Sequence, residues 1–156
     1  ISGGGEIDPT ALVGARGVLE GFVDDALEHY PIDPNRLVIM GFSQGGVMAY
    51  DLALGRPDRY AALVALSTWL PEEVLGSLQP DEARADLTTL LIHGTTDPMV
   101  AIDSGKAAFE ALKGLGIEAA WGEYEMGHEI NQNAMRDLLG WLAQQPFALP
   151  GVDGAA

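Results

Sequence analysis

The sequence predicts an α/β fold built on a parallel sheet, and three observations carry that expectation. Short continuous apolar runs rich in β-branched residues alternate with longer stretches of helical periodicity. Glycine is unusually frequent, 20 of 156 residues, and much of it falls in tight loops between the apolar runs. A glycine-flanked serine stands where a strand gives way to a helix.

The elements follow in order. Ser2-Gly3-Gly4-Gly5 reads as a linker or loop end. Asp8-Pro9 then starts a helix, Asp8 as N-cap and Pro9 in the first turn, where its missing N–H is harmless. Leu12, Leu19, Phe22, Val23, Ala26 and Leu27 recur at helical spacing until Tyr30-Pro31 stops the helix. After Asp33-Pro34-Asn35, the run Leu37-Val38-Ile39-Met40 reads as a buried parallel strand. A helix is expected from Gln44 to Leu54, and a strand from Ala61 to Leu66. Trp69 to Asp86 contains Pro71, Gly76 and Pro80 and reads as a long loop with short helical pieces. Thr88 to Ile92 is the third strand, ended by His93-Gly94. A helix from Ser104 to Leu115, a strand from Ile117 to Tyr124 and a helix from Ile130 to Gln145 complete the pattern. That last helix is expected to turn Leu138, Leu139, Trp141 and Leu142 inward. The chain shows no internal repeat and no low-complexity tract. One domain is expected over residues 1–146, with a frayed tail over 147–156.

Composition narrows the function. Eight Lys and Arg against 23 Asp and Glu give a net charge of −15, which argues against nucleic acid and anionic membrane surfaces as partners. Cysteine is absent, which excludes disulfides, thiolate metal sites and a Cys nucleophile. No apolar run reaches the roughly 18 residues of a membrane span. No signal peptide is visible, and a cytoplasmic location is the expectation, for a chain that begins at Ile1 rather than Met.

The strongest chemical signal is Gly41-Phe42-Ser43-Gln44-Gly45, a G-x-S-x-G motif between a strand and a helix. The spacing has a physical reason. A serine that is to project from the sheet must sit on a sharp strained turn, and Gly41 and Gly45 remove side chains expected to clash there. Gly46 lets the helix pack close. The N–H of Gln44, at the helix N-terminus, points toward a developing oxyanion. A serine nucleophile needs a base, and the base needs an orienting carboxylate. Of three histidines, His29 reads as a surface residue and His93 as a packed structural one. His128, in a loop between the fourth strand and the last helix, stands where a base belongs. Asp97, after the third strand, is the candidate acid. Asp103 is the runner-up and fits better as an N-cap or first-turn residue. All three chosen groups fall at carboxyl ends of strands, where open α/β sheets bind ligands.

Gly41-Phe42-Ser43-Gln44-Gly45-Gly46, Ala65-Leu66-Ser67-Thr68-Trp69-Leu70-Pro71, His93-Gly94-Thr95-Thr96-Asp97-Pro98-Met99-Val100 and Gly127-His128 together resemble the phospholipase/carboxylesterase family of α/β-hydrolases, which includes acyl-protein thioesterases. The resemblance implies a three-layer α/β-hydrolase-type sheet with helices on both faces. It implies Ser43 as nucleophile, His128 as base and Asp97 as its orienter, in hydrolysis of carboxylic esters or thioesters through an acyl-serine. It implies no metal and no cofactor. Trp69, Leu70, Met99 and Val100 lie beside this site in the sequence and are expected to line an acyl pocket for short to medium chains.

The resemblance covers the later part of the family's domain. The family's upstream strands, and the loop that supplies a second oxyanion N–H, have no match before Ser43; Gly3-Gly4-Gly5 is a weak substitute. Leu37–Met40 is then expected to form an apolar sheet edge. Three arrangements would follow: a fragment, strands supplied by a separate segment or partner chain, or a homodimer through that edge. The alternative function is a non-catalytic or weakly active partial domain.

Overall fold

The computed structural model describes residues 6–149. Four parallel strands form one sheet in the order of the chain: β1 (Val38–Phe42), β2 (Ala62–Leu66), β3 (Thr88–Gly94) and β4 (Ala119–Tyr124). The helices are α1 (Pro9–His29), α2 (Gln44–Gly55), α3 (Glu72–Ser77), α4 (Ile102–Gly114) and α5 (Gln132–Ala143). Asp8 caps α1 by accepting from the Thr10 N–H, with Pro9 behind it, as the sequence indicates. The long segment before β3 holds α3 and a 3-10 turn over Glu82–Asp86.

Strand alternation sorts the core onto two faces of the sheet. Leu63, Ala65 and Leu91 face α2 and α4, packing with Tyr50, Leu54, Ala108 and Leu112. Val64, Leu66, Leu90 and Ile92 face the other way and are covered by Ala134 and Leu138 of α5. The result is three layers, with helices on both faces. The Phe147 carbonyl accepts from Arg36 Nε at 2.7 Å, so that residue of the expected frayed tail is tied to the body. Residues 150–156 and the Ser2–Gly5 linker lie outside the described residues. No described helix is long and apolar enough to cross a membrane.

Two expectations about burial need correction, and the helical spacing on α1 does not bury every residue it links. The Leu37–Met40 run does not form a strand buried on both faces. Its strand, β1, lies at the sheet edge, as expected from the unmatched upstream strands, and Val38, Met40 and Phe42 on the α5 side are exposed, Met40 by 54%. Ile39 and Leu37 on the opposite side pack against the α2 core. The cause is coverage: α5 reaches β2, β3 and β4 but not β1. Phe22 is exposed, because α1 lies outside α2 and buries only Leu12 fully. Leu139 is exposed on α5, while Leu138 beside it is buried.

With one fully buried residue, α1 depends on polar anchors. Arg16 forks onto Asp51 of α2, Nε to Oδ2 and Nη2 to Oδ1, each at 2.6 Å, and Asp51 is almost fully buried. Arg59 pairs with Asp24 near the other end of α1. Removing the buried partner strips Arg16 of both bonds. Asp51→Ala is expected to lower the unfolding free energy by about 1.5–3 kcal/mol, read from denaturant midpoints, with the sheet intact by circular dichroism. Arg16→Lys should retain only part of the wild-type stability, because an ammonium lacks the planar fork.

Candidate active site

Parallel strands end at one edge of a sheet, so residues just past their carboxyl ends meet there even when far apart in sequence. Ser43 follows β1 directly, Asp97 lies in the loop after β3, and His128 lies in the loop between β4 and α5. The two loops are joined: the Thr95 N–H donates to the Tyr124 carbonyl at 2.9 Å, and the Thr96 hydroxyl donates to the Met126 carbonyl at 3.0 Å.

Ser43 has φ 54° and ψ −123°, a left-handed backbone that a side chain rarely adopts. Its N–H donates to the Leu66 carbonyl at 3.0 Å, and its own carbonyl accepts from the Gly46 N–H at 2.9 Å. Gly41 makes the turn possible: a Cβ there would fall 2.0 Å from the Gly45 carbonyl oxygen. A Cβ at Gly46 would fall 2.5 Å from the Thr68 side chain, so the close approach made by the start of α2 is to the second residue after β2. Gly45 does not share this role. A Cβ there meets nothing within 4 Å, because the position faces open space on the first turn of α2.

His128 Nδ1 lies 2.8 Å from Asp97 Oδ2 and its Nε2 lies 3.0 Å from Ser43 Oγ. An ionised carboxylate only accepts, so Nδ1 carries the proton. Nε2 then presents its lone pair to the Ser43 hydroxyl. Phe42 flanks the ring on one side, with centroids 4.7 Å apart. The Asp97 side chain is wholly buried. Burial alone would raise its pKa. Hydrogen bonds from the Val100 N–H at 2.9 Å, from His128 and from the Met99 N–H at 2.8 Å outweigh that, and hold the carboxyl below its usual range.

The remaining sequence candidates divide. His93 is a buried structural residue: its Nε2 donates to the Val100 carbonyl at 2.8 Å and stands 3.7 Å from Asp97 Oδ2. His29 is exposed and bonds the Asp25 carbonyl of its own helix. Asp103 sits in the first turn of α4, away from this line. Gln44 is the first residue of α2, so its N–H has no intrahelical acceptor. Met99 is 69% exposed, on the Asp97 loop. Trp69 and Leu70 are half-buried and pack toward Leu12, Val47 and Val74. Val100 is not an open pocket wall. It is 4% exposed, and its N–H and carbonyl are engaged with Asp97 and His93. Sequence reading missed two contacts. Phe42 against His128 was signalled by its place inside the motif, and the Thr68 hydroxyl against the Ser43 carbonyl had no signal at all.

A parallel sheet with helices on both faces and a left-handed serine at the first strand's end defines an α/β-hydrolase. Within that class the chain belongs to the phospholipase/carboxylesterase family, which matches residues 14–145. It is similar to acyl-protein thioesterase 1 of Gibberella zeae, 33% identical over 73% of this chain and 50% of that protein. It is similar to carboxylesterase SOBER1 of Arabidopsis thaliana, 28% identical over 91% of this chain and 62% of that protein. The crystal structure of SOBER1 superposes with a TM-score of 0.75 at 26% identity, covering 88% of this chain and 65% of that one. A carboxylesterase from Mesorhizobium loti shares the fold at a TM-score of 0.78 and 19% identity, over 90% of this chain and 65% of that one. The chain thus spans about half to two-thirds of these relatives.

Two glycines of one motif are expected to behave oppositely. Gly41→Ala should cost more than about 3 kcal/mol or prevent folding, since neither backbone segment can yield 1 Å or more. Gly45→Ala should leave the melting temperature unchanged or raise it, by up to about 1 kcal/mol of helix propensity. Thermal melts of the two variants test the assignment.

Proposed function

We propose that this chain is a serine carboxylesterase or thioesterase, acting on short- to medium-chain acyl esters through an acyl-Ser43 intermediate. The observation that carries the reading is the hydrogen-bonded line Asp97–His128–Ser43, at 2.8 and 3.0 Å, on one edge of the sheet. In this reading Ser43 Oγ attacks the acyl carbon and His128 Nε2 takes the hydroxyl proton. Asp97 holds the ring in the required tautomer and stabilises the imidazolium. The Gln44 N–H meets the developing oxyanion. Collapse breaks the bond to the alcohol or thiol, which leaves with the proton from His128. Water then attacks the acyl-serine, again giving its proton to His128, and the carboxylic acid is released with Ser43 restored. Met99 and Trp69 are the proposed acyl contacts. No step calls for a metal or cofactor.

Hydrolysis of p-nitrophenyl butyrate is the direct test. Ser43→Ala and His128→Ala are expected to abolish turnover with little change in melting temperature, since the serine sits on a strained turn. Asp97→Asn should lower kcat by about 10⁴. Turnover that survives Ser43→Ala in the purified chain would sink the reading. His93→Ala should destabilise the fold more than His128→Ala does, because it empties a buried site.

Asp97 also sets an acid limit. Its folded pKa is depressed, so its contribution to stability is complete above the unfolded value of about 3.9 and is lost as pH falls through the folded value. Urea midpoints between about pH 3 and pH 5 should therefore fall less steeply for Asp97→Asn than for wild type.

One observation favours a second reading, that a chain of this span acts weakly until a further strand joins the sheet. Gln44 is one oxyanion donor, and β1 presents an open edge with Val38, Met40 and Phe42 exposed beside it. Loss of a second donor costs about 10²–10³ in rate. Under this reading the strand comes from a separate segment, a partner chain or a second copy, and light scattering separates the last case.

A further inference from the structure

We propose that Thr68 is a positioning residue for Ser43: from the end of β2, its hydroxyl holds the Ser43 carbonyl and keeps the strained turn in the one conformation that aims Oγ at His128. The inference rests on the serine-hydrolase reading and names a part of that site which lies outside the G-x-S-x-G motif.

Three features converge on this residue. Thr68 Oγ1 donates to the Ser43 carbonyl at 2.6 Å, a short bond, in a side chain only 3% exposed. The other acceptor within reach, the Trp69 carbonyl, stands at 3.5 Å, too far to compete for the single hydroxyl proton. The side chain is also seated in a notch. The bare Cα of Gly46 leaves room for Thr68 Cβ, Cγ2 and Oγ1, each of which would lie 2.5–2.6 Å from a Cβ added there. Thr68 is thus fixed by shape on one side and by a hydrogen bond on the other.

The backbone before Thr68 is arranged to deliver it. Ser67 has φ 46°, the second left-handed non-glycine residue among those described, and it is fully buried. Its N–H donates to the Ile92 carbonyl at 2.8 Å, so the ladder to β3 holds the chain where it turns. β1 and β2 therefore each end in a left-handed serine, and the second turn places the hydroxyl that braces the first. The Ser43 carbonyl receives two donors, Gly46 N–H from its own helix and Thr68 from the neighbouring strand. The first closes the helix turn. The second couples the turn's orientation to the sheet.

The test replaces the hydroxyl and keeps the shape. Thr68→Val fills the same notch but cannot donate. It is expected to lower kcat for p-nitrophenyl butyrate about ten- to a hundredfold, the effect of a small misalignment of a reacting group, with KM within about twofold of wild type. Thr68→Ser restores the donor and should recover most of kcat. Amide exchange at Gly46, whose N–H shares the same carbonyl, should quicken in Thr68→Val while exchange in β3 stays the same. Wild-type kcat in Thr68→Val, or no recovery in Thr68→Ser when both melt like wild type, overturns the proposal. If wild type and Ser43→Ala turn over equally, the hydrolase reading is what fails. Gly46 exchange then decides the positioning role, and unchanged exchange in Thr68→Val overturns it.

Discussion

The left-handed backbone at Ser43 is a constraint to which its surroundings conform. A non-glycine residue at φ 54° carries strain of about 1–3 kcal/mol and persists only where the rest of the structure over-determines it. Gly41 has no side chain because the Gly45 carbonyl passes through the space a Cβ would fill. The Leu66 carbonyl takes the Ser43 N–H, and the Gly46 and Thr68 donors hold its carbonyl. An extended residue here would run the chain on past the sheet edge. The sharp turn instead starts α2 at once and leaves the hydroxyl facing His128.

The electrostatics of the line run from its buried end outward. Asp97 is enclosed, and burial alone would raise its pKa. Two backbone N–H groups from its own loop and the ring of His128 keep it ionised. That charge fixes the His128 tautomer, and the tautomer decides whether Nε2 can accept from Ser43. His93 enters one step back. By taking the Val100 carbonyl it shapes the loop whose Val100 N–H stabilises Asp97, which is why a second histidine sits 3.7 Å from the carboxylate without joining the line.

Much of this was legible in the sequence, for reasons tied to particular residues. Asp8-Pro9 and Tyr30-Pro31 mark the ends of α1 because capping and proline geometry are local. The three polar groups were legible because parallel topology converts strand order into proximity. The missed features are those that depend on which layer covers which strand. The edge position of Leu37–Met40 was legible from the unmatched upstream strands, but that α5 leaves its Val38, Met40 and Phe42 face open was not. Gly45 and Gly46 look equivalent as letters, yet one faces solvent and the other faces Thr68. Val100 is apolar and adjacent to the site, but its contribution there is made through its backbone.

Ser43 is carried by the strand with the most exposed residues, and that explains where its support comes from. β2 is buried along its whole length between two cores, whereas β1 exposes alternate residues on one side. A turn built on β1 alone would inherit the mobility of an edge. The structure ties that turn to β2 instead, through the Leu66 carbonyl at the end of the strand and the Thr68 hydroxyl just beyond it. β2 is in turn registered to β3 up to Leu66–Ile92, and the Ser67 N–H extends the ladder by one more bond. The position of the nucleophile candidate is therefore set by the centre of the sheet, the same centre from which the Asp97 loop departs. Whatever covers the open side of β1 changes that strand's exposure, while the alignment of Ser43 with His128 rests on contacts already made.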